Sequence, residues 1–270
     1  MAPTDVQQYM QLTDLKRHNP NLKVFISIGG WNAGGAVFSE MVSSTSRRSA
    51  FINSLKRFLR QYVFDGVDIN WEYSVPEDYS CNQADSETYV EFLKELRAAL
   101  GIKYGVTASL PVSFWHLQHF DVKNLAKHID WFNMQTYDPH GKLIVGDICA
   151  FIRVSSTDKH VENWNSEATA AESVVQAHSN LTEIDQGLDL LWRNGIDPQK
   201  VVLGLGFYGS AFTLESLDCS KPGCRFLGSA DEGRCTEQPG ILSNSEIQDI
   251  ITDNRMTPIL VKEDAVKYIT

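Results

Sequence analysis

Short strand-like segments alternating with amphipathic stretches predict an α/β chain of parallel strands with helices packed outside. Three observations carry the prediction. Five segments read as strands: Lys23 to Ile28, Gly66 to Trp71, Tyr104 to Leu110, Trp131 to Tyr137 and Val201 to Leu205. Several of the stretches between them place apolar residues at helical spacing. Two of those stretches end at a glycine, Gly101 and Gly195, as helices commonly do. A (β/α)8 barrel and an open doubly wound sheet both fit this alternation.

Taken in order, Thr4 to Gln7 has the form of a capping box and opens a first helix. The strand Lys23 to Ile28 is ended by Gly29-Gly30. From about Arg47 a helix puts Phe51, Ile52, Leu55, Phe58, Leu59 and Tyr62 on one face. Gly66 to Trp71 follows as a strand. Tyr89, Leu93, Leu96 and Leu100 then mark a helix, Tyr104 to Leu110 and Trp131 to Tyr137 two strands, and Ile184, Leu188 and Leu191 a further helix before Val201 to Leu205. Residues 139–170 show no clear period. Residues 211–270 read as loops and short strands such as Pro258 to Val261.

Hydrophobic residues make up 43% and charged residues 21% of the 270, an ordinary balance for a globular protein. The formal net charge of -10 argues against nucleic acid as a partner, which calls for a basic surface. It fits a neutral or cationic substrate. No apolar run reaches membrane-spanning length, so no membrane partner is expected. The polar N-terminal residues show no leader peptide. Cys219, Cys224 and Cys235 crowd into a Gly-, Ser- and Pro-rich segment, which suits a disulfide-stapled loop of a secreted protein. Metal binding is the weaker rival, because no Cys-x-x-Cys pair or neighbouring His accompanies them. The seven histidines show no metal spacing.

The stretch Asp65-Gly-Val-Asp68-Ile-Asn70-Trp-Glu72-Tyr73 is the most informative. Strand alternation puts Val67, Ile69 and Trp71 on one face and Asp68, Asn70 and Glu72 on the other. Three polar groups in a row, two of them acidic, are costly to bury without a purpose. At the C-terminal end of a barrel strand they would open onto an active-site face. Two nearby carboxyls resist double ionisation, which keeps one protonated for acid work. A solvated edge strand would explain the polar face, but not Trp71 and Tyr73 beside it. A calcium loop would need a glycine at its sharp turn, which is missing here. A structural network at a barrel's centre is the remaining bland reading.

Asp65-Gly-Val-Asp-Ile-Asn-Trp-Glu72-Tyr resembles the Asp-Gly-x-Asp-x-Asp-x-Glu signature of family 18 glycoside hydrolases, the chitinases. Ser27-Ile-Gly-Gly-Trp31 is similar to that family's third-strand motif, Thr136-Tyr137-Asp138 to its sixth and Leu203-Gly-Leu-Gly-Phe-Tyr-Gly209 to its seventh. The resemblance covers residues from about 20 to 138 and from about 180 to 245. It looks closest to secreted fungal chitinases of the killer-toxin-like branch, partly through the spacing of Cys219, Cys224 and Cys235. It implies an incomplete (β/α)8 TIM barrel in residues 1–210, with about five of eight strands, and the start of a small α+β insertion domain in 211–270. Two N-terminal strands and the last strand are expected to be missing. The resemblance also implies hydrolysis of β-1,4 bonds between N-acetylglucosamine units by substrate-assisted retaining catalysis. Glu72 would be the acid, Asn70 would hold the acetamido N–H, Asp68 would support Asn70 from below, and Tyr137 would bond the acetamido oxygen. Gln135 and Asp138 would line the cleft, and Trp31 and Trp115 would offer stacking faces. Chitin or its oligosaccharides would be the partner of an extracellular monomer, with no cofactor and no metal.

Four departures stand against the match. The middle Asp is Asn70, the family's Met is Gln135, Ser210 stands where the closest branch has Arg, and residues 139–170 fit neither the motif nor its spacing. That stretch reads as a divergent substrate loop or a translated intron. Gly204-Leu-Gly206-Phe-Tyr-Gly209 also satisfies the dinucleotide-binding pattern, yet the helix that pattern requires is replaced by a Cys-, Gly- and Pro-rich loop. Asn180-Leu-Thr182 is a glycosylation sequon, while Thr182 is equally well placed to cap the next helix. Three functions compete: an acting chitinase weakened at Asn70, a non-catalytic oligosaccharide binder of the same fold, and an inert fragment.

Overall fold

The computed structural model describes residues 3–72, 85–138 and 174–270. The unmatched 139–170 stretch, Tyr73, Cys81 and Cys149 lie outside them. The chain divides into two compact units. The first comprises Met1–Leu110, His116–Met134 and Leu191–Val202, and the second Pro111–Trp115, Gln135–Leu190 and Leu203–Thr270.

The first helix, α1, spans Pro3–Asp14. Thr4 therefore sits inside its first turn, not at the cap that the capping-box pattern suggested. Strand β1 (Phe25–Gly29) starts two residues later than the sequence indicates. Two helices follow, α2 (Gly35–Val42) and α3 (Thr45–Gln61). The sequence analysis missed α2, which is too short to show a period. Ser44 caps α3 by accepting from the Arg47 N–H. Strand β2 is Gly66–Asn70, α4 is Asp85–Leu100 and β3 is Gly105–Pro111. Two four-residue helices, α5 (Phe114–Leu117) and α6 (Val122–Leu125), precede β4 (Trp131–Gln135). Helix α7 (Leu181–Arg193) and the short β5 (Val201–Leu203) complete the alternation. Asn180, not Thr182, caps α7: its side-chain oxygen accepts from the N–H groups of Thr182 and Glu183.

The five strands form one sheet in chain order, β1-β2-β3-β4-β5, and β1 to β3 pair in parallel. This is the five-strand part of an incomplete (β/α)8 barrel, as the alternation and the resemblance together implied. One side of β2 carries Val67 and Ile69, and Trp71 follows just after the strand; all three are buried. Ile52, Leu55 and Leu59 of α3 and Tyr89, Phe92, Leu93 and Leu96 of α4 are buried with them. Phe38 stacks on Trp71 at 5.5 Å, and Tyr89 meets it edge-on at 5.1 Å. Each fully buried side chain of this size contributes roughly 1.5–3 kcal/mol.

Two aspartates fix the strand starts. Asp65 accepts from the Val24 N–H and from Lys16 Nζ, and Asp130 from the Val106 N–H and Arg97 Nη2. Arg48 joins the helices: its Nε and Nη2 grip both oxygens of Glu95, and its Nη1 donates to the Val42 carbonyl.

In the second unit the strands are short and antiparallel. β6 (Tyr208–Ser210), β7 (Phe212–Leu214), β8 (Phe226–Ser229) and β9 (Ile241–Ser243) pair as β6 with β9 and β7 with β8. Helix α8 (Asn244–Asp253) follows, then the hairpin of β10 (Ile259–Val261) and β11 (Val266–Tyr268). Ser243 and Glu246 form a capping box at the start of α8. A Cys219–Cys224 disulfide closes the expected stapled loop, and Cys235 is exposed and forms no disulfide among the described residues.

Candidate active site

Strand β2 delivers its polar face as the alternation requires. Asp68 is buried, and each of its oxygens accepts two hydrogen bonds. Oδ1 accepts from Thr107 Oγ1 at 2.7 Å and Asn133 Nδ2 at 2.9 Å. Oδ2 accepts from Ser27 Oγ at 2.8 Å and Ser109 Oγ at 2.9 Å. Donors from β1, β3 and β4 therefore surround one carboxylate of β2. A buried charge is tolerable only when it is compensated in this way. Ser27 was named in sequence only as the start of a motif, and Thr107 and Ser109 were not singled out. Their signal was present, since Thr107 and Ser109 are alternate polar positions on an otherwise apolar β3.

Asn70 and Glu72 follow at two-residue steps. Asn70 Nδ2 donates to Glu72 Oε1 at 3.0 Å. A carboxyl oxygen can only accept from an amide N–H, so this contact fixes which end of the Asn70 amide faces Glu72. Asn70 leaves its Oδ1 as an acceptor of the kind an acetamido N–H needs.

The close approach of β1 explains Gly29-Gly30. The Gly30 N–H donates to the Asn70 carbonyl at 2.8 Å. A Cβ on Gly29 would lie 2.0 Å from that same oxygen, and φ is +117° there and +85° at Gly30. Neither position accepts a side chain without strain. Trp31 opens the turn that follows and is 37% exposed. Gln135 is half-buried at the end of β4. Trp115 lies in α5, and its side chain is outside the described part of the molecule.

The chain after β4 forms a second cluster. The sequence analysis extends β4 to Tyr137, but the strand stops at Gln135, because Asp138 takes a left-handed φ of 49° that a strand excludes. Tyr137 is half-buried and packs against the rings of His178 and Tyr208 at 6.3 and 6.2 Å. His178 Nδ1 lies 2.8 Å from Asp138 Oδ1, and Tyr208 donates its hydroxyl to Asp138 Oδ2. Neither His178 nor Tyr208 was singled out in sequence. Tyr208 lies in the Leu203–Gly209 segment, which was noted for its likeness to the seventh-strand motif and as a rejected nucleotide signal. The segment's actual roles are local: the Gly204 carbonyl accepts from Thr136 Oγ1, and Gly206 lies against the His178 ring. Among the described residues, no three His, Cys, Asp or Glu side chains gather into a possible cation site.

The model of the glycosyl hydrolases family 18 matches residues 1–270. A secreted chitinase of Penicillium expansum, LysM12, is 30% identical over 246 residues, 86% of this chain and 15% of that protein. The chain thus spans a small part of that relative. Among solved structures, the Ostrinia furnacalis Group IV chitinase in complex with allosamidin superposes with a TM-score of 0.80 at 27% identity. The match covers 98% of this chain and 69% of that one. Human YKL-39, described as a pseudo-chitinase with retained chitooligosaccharide binding, gives 0.79 at 25% identity over 100% of this chain and 70% of its own.

Proposed function

Because the chain belongs to glycosyl hydrolase family 18, we propose that it cleaves β-1,4 bonds between N-acetylglucosamine units of chitin outside the cell, acting as a monomer. Secretion of the Penicillium relative supports the extracellular assignment. The reaction is substrate-assisted, with retention of configuration. Glu72 gives its proton to the glycosidic oxygen as the C1–O bond breaks. The carbonyl oxygen of the sugar's own acetamido group bonds to C1 and forms an oxazolinium ion. Water then attacks C1, the ring opens, and the water's proton returns to the Glu72 carboxylate.

The observation that carries this reading is the Asn70 Nδ2 to Glu72 Oε1 bond at the end of β2. It supports Oε1 as the accepting oxygen and Oε2 as the oxygen that carries the transferable proton. Asn70 Oδ1 takes the acetamido N–H. Asp68, held by four donors, is a fixed negative charge on the same strand face. Tyr137 bonds the acetamido oxygen, Gln135 and Asp138 contact the sugar, and Trp31 and Trp115 stack on it.

Glu72→Gln tests the assignment. Turnover of chitin oligosaccharides falls by ~10²–10⁴, the usual contribution of a positioned acid, while retention on chitin beads persists. Undiminished hydrolysis by this variant removes Glu72 from the mechanism. A second reading, a non-catalytic oligosaccharide binder, is favoured by Asn70 itself, which cannot supply the family's negative charge. Under that reading the parent binds chitin beads and hydrolyses nothing.

A further inference from the structure

We propose that His178 is a positioning residue that holds the Asp138 carboxylate in place for the sugar; the inference rests on the chitinase reading, under which Asp138 contacts substrate. Three bonds fix Asp138. His178 Nδ1 lies 2.8 Å from Oδ1, Tyr208 donates to Oδ2, and the Asp138 N–H donates to the His178 carbonyl at 2.9 Å. Residues 138 and 178 are therefore tied twice, once through backbone and once through side chains. The backbone tie supports a left-handed φ of 49° at Asp138, which a non-glycine residue adopts only when its surroundings hold it there.

The imidazole is itself held. Its ring meets Tyr208 edge-on at 4.6 Å and Tyr137 at 6.3 Å. Its Nε2 is buried with no hydrogen-bond partner among the described residues, and a Cβ at Gly206 would stand 2.4 Å from that atom. A buried polar atom left without a partner is costly and calls for a reason. Here the reason is that the ring is oriented by what Nδ1 must do. A ring turned over to satisfy Nε2 would withdraw the donor from Asp138. Because the carboxylate only accepts, the hydrogen of this contact resides on Nδ1. Gly206 is the residue that leaves room for the ring in this orientation, which gives a function to a glycine of the rejected nucleotide motif.

A ring serving only to fill space is replaceable by Phe, and a positioning donor is not. Asn at 178 places its amide N–H near the position of Nδ1. The expectation is that His178→Phe weakens chitotetraose binding roughly ten- to a hundredfold, as loss of a hydrogen bond to a charged group does, and that His178→Asn restores most of it. Long-range ¹H–¹⁵N spectra of the parent must show the hydrogen on Nδ1, and Asp138→Asn must move that resonance. Parent-like affinity in His178→Phe overturns the proposal, as does a hydrogen on Nε2 with Nδ1 bare. If His178→Phe does not fold, an Nδ1 resonance unmoved by Asp138→Asn overturns it instead. A parent chain that binds no chitotetraose defeats the chitinase reading, and the imidazole spectrum then decides alone whether His178 holds Asp138.

Discussion

Replacing Asn70 by Asp converts an amide-to-carboxyl bond into a contact between two carboxyls. Asn70 Nδ2 and Glu72 Oε1 are 3.0 Å apart, and Asp is nearly isosteric with Asn. Two full charges at that separation repel by about 5 kcal/mol at an effective dielectric of 20. The pair cannot ionise twice near neutrality and shares a proton instead, as close carboxyl pairs do. The variant therefore gains two things: a proton held between residues 70 and 72, and a negative charge near the developing oxazolinium once Glu72 has given its proton away. One preorganised electrostatic group of this kind is worth ~10²–10³ in rate. Binding changes much less, because the neutral ground-state substrate presents no charge to match. The assay is hydrolysis of chitotetraose and chitohexaose by parent and Asn70→Asp, with affinities measured on the Glu72→Gln background. A fully active parent left unchanged by Asn70→Asp refutes the reasoning. So does a variant that gains affinity and no rate.

Three further outcomes follow from other parts of the molecule. Burial, with a smaller contribution from His119, lowers the His116 pKa to about 4. The unfolded chain therefore binds the extra proton between pH 6.5 and 4, and stability falls as pH drops through that window by up to about 3 kcal/mol. Denaturant titrations of parent and His116→Gln must converge on acidification, and parallel curves contradict the assignment. Glu246 is held at a pKa of about 2 by the Ser243 hydroxyl first and then by the Cys235 N–H. Its contribution is present above the ordinary carboxylate pKa near 4.5 and is lost as pH falls towards 2, so Glu246→Gln must destabilise the second unit relative to the parent more at pH 7 than at pH 2, read by circular dichroism. Val202, Leu203, Leu205 and Phe207 are 49–87% exposed at and just after β5, the outer strand of the sheet. An apolar edge of this kind invites aggregation, so Leu205→Lys with Phe207→Ser must lower the aggregated fraction that elutes ahead of the monomer in size-exclusion chromatography, and an unchanged aggregate peak rejects the edge as the cause.

The parts of the fold legible in sequence were those governed by a long period. Helices α3 and α4 repeat their apolar face over four turns, and Ile52, Leu55 and Leu59, then Tyr89, Leu93, Leu96 and Leu100, are buried as the spacing marks, while Phe51 and Phe58 are only half-buried and Arg48, Asp85 and Phe92 are buried unmarked. Helices α2, α5 and α6 were missed because eight or four residues give a period too little room to repeat. Boundaries moved wherever a backbone requirement overrode side-chain character. Tyr137 has a strand former's side chain, but the positive φ at Asp138 ends the strand before it. Thr182 is a good capping residue, but Asn180 lies two places upstream, directly before the helix, and its side-chain oxygen reaches both N–H groups.

The site divides along the same line. Alternation along a single strand was enough to place Asp68, Asn70 and Glu72 on one face, because that face follows from period two alone. What surrounds Asp68 comes from other strands, at sequence separations of 39, 41 and 65 residues, and no local pattern announces such a partner. A structural network and a functional row were alternatives in sequence; the network is present on Asp68, and the functional row is what the proposed function places on Asn70 and Glu72. Asp68 spends all four acceptor positions on Ser27, Thr107, Ser109 and Asn133, which makes it a fixed charge that stitches strands together. Asn70 and Glu72, further along the strand, are bonded to each other, and Asn70 keeps its side-chain oxygen for an incoming donor. Under the proposed function the chemistry is carried at the end of the strand and the cohesion lies beneath it. For that reason a substitution at Asp68 should damage folding before it damages catalysis, whereas one at Asn70 or Glu72 should do the reverse.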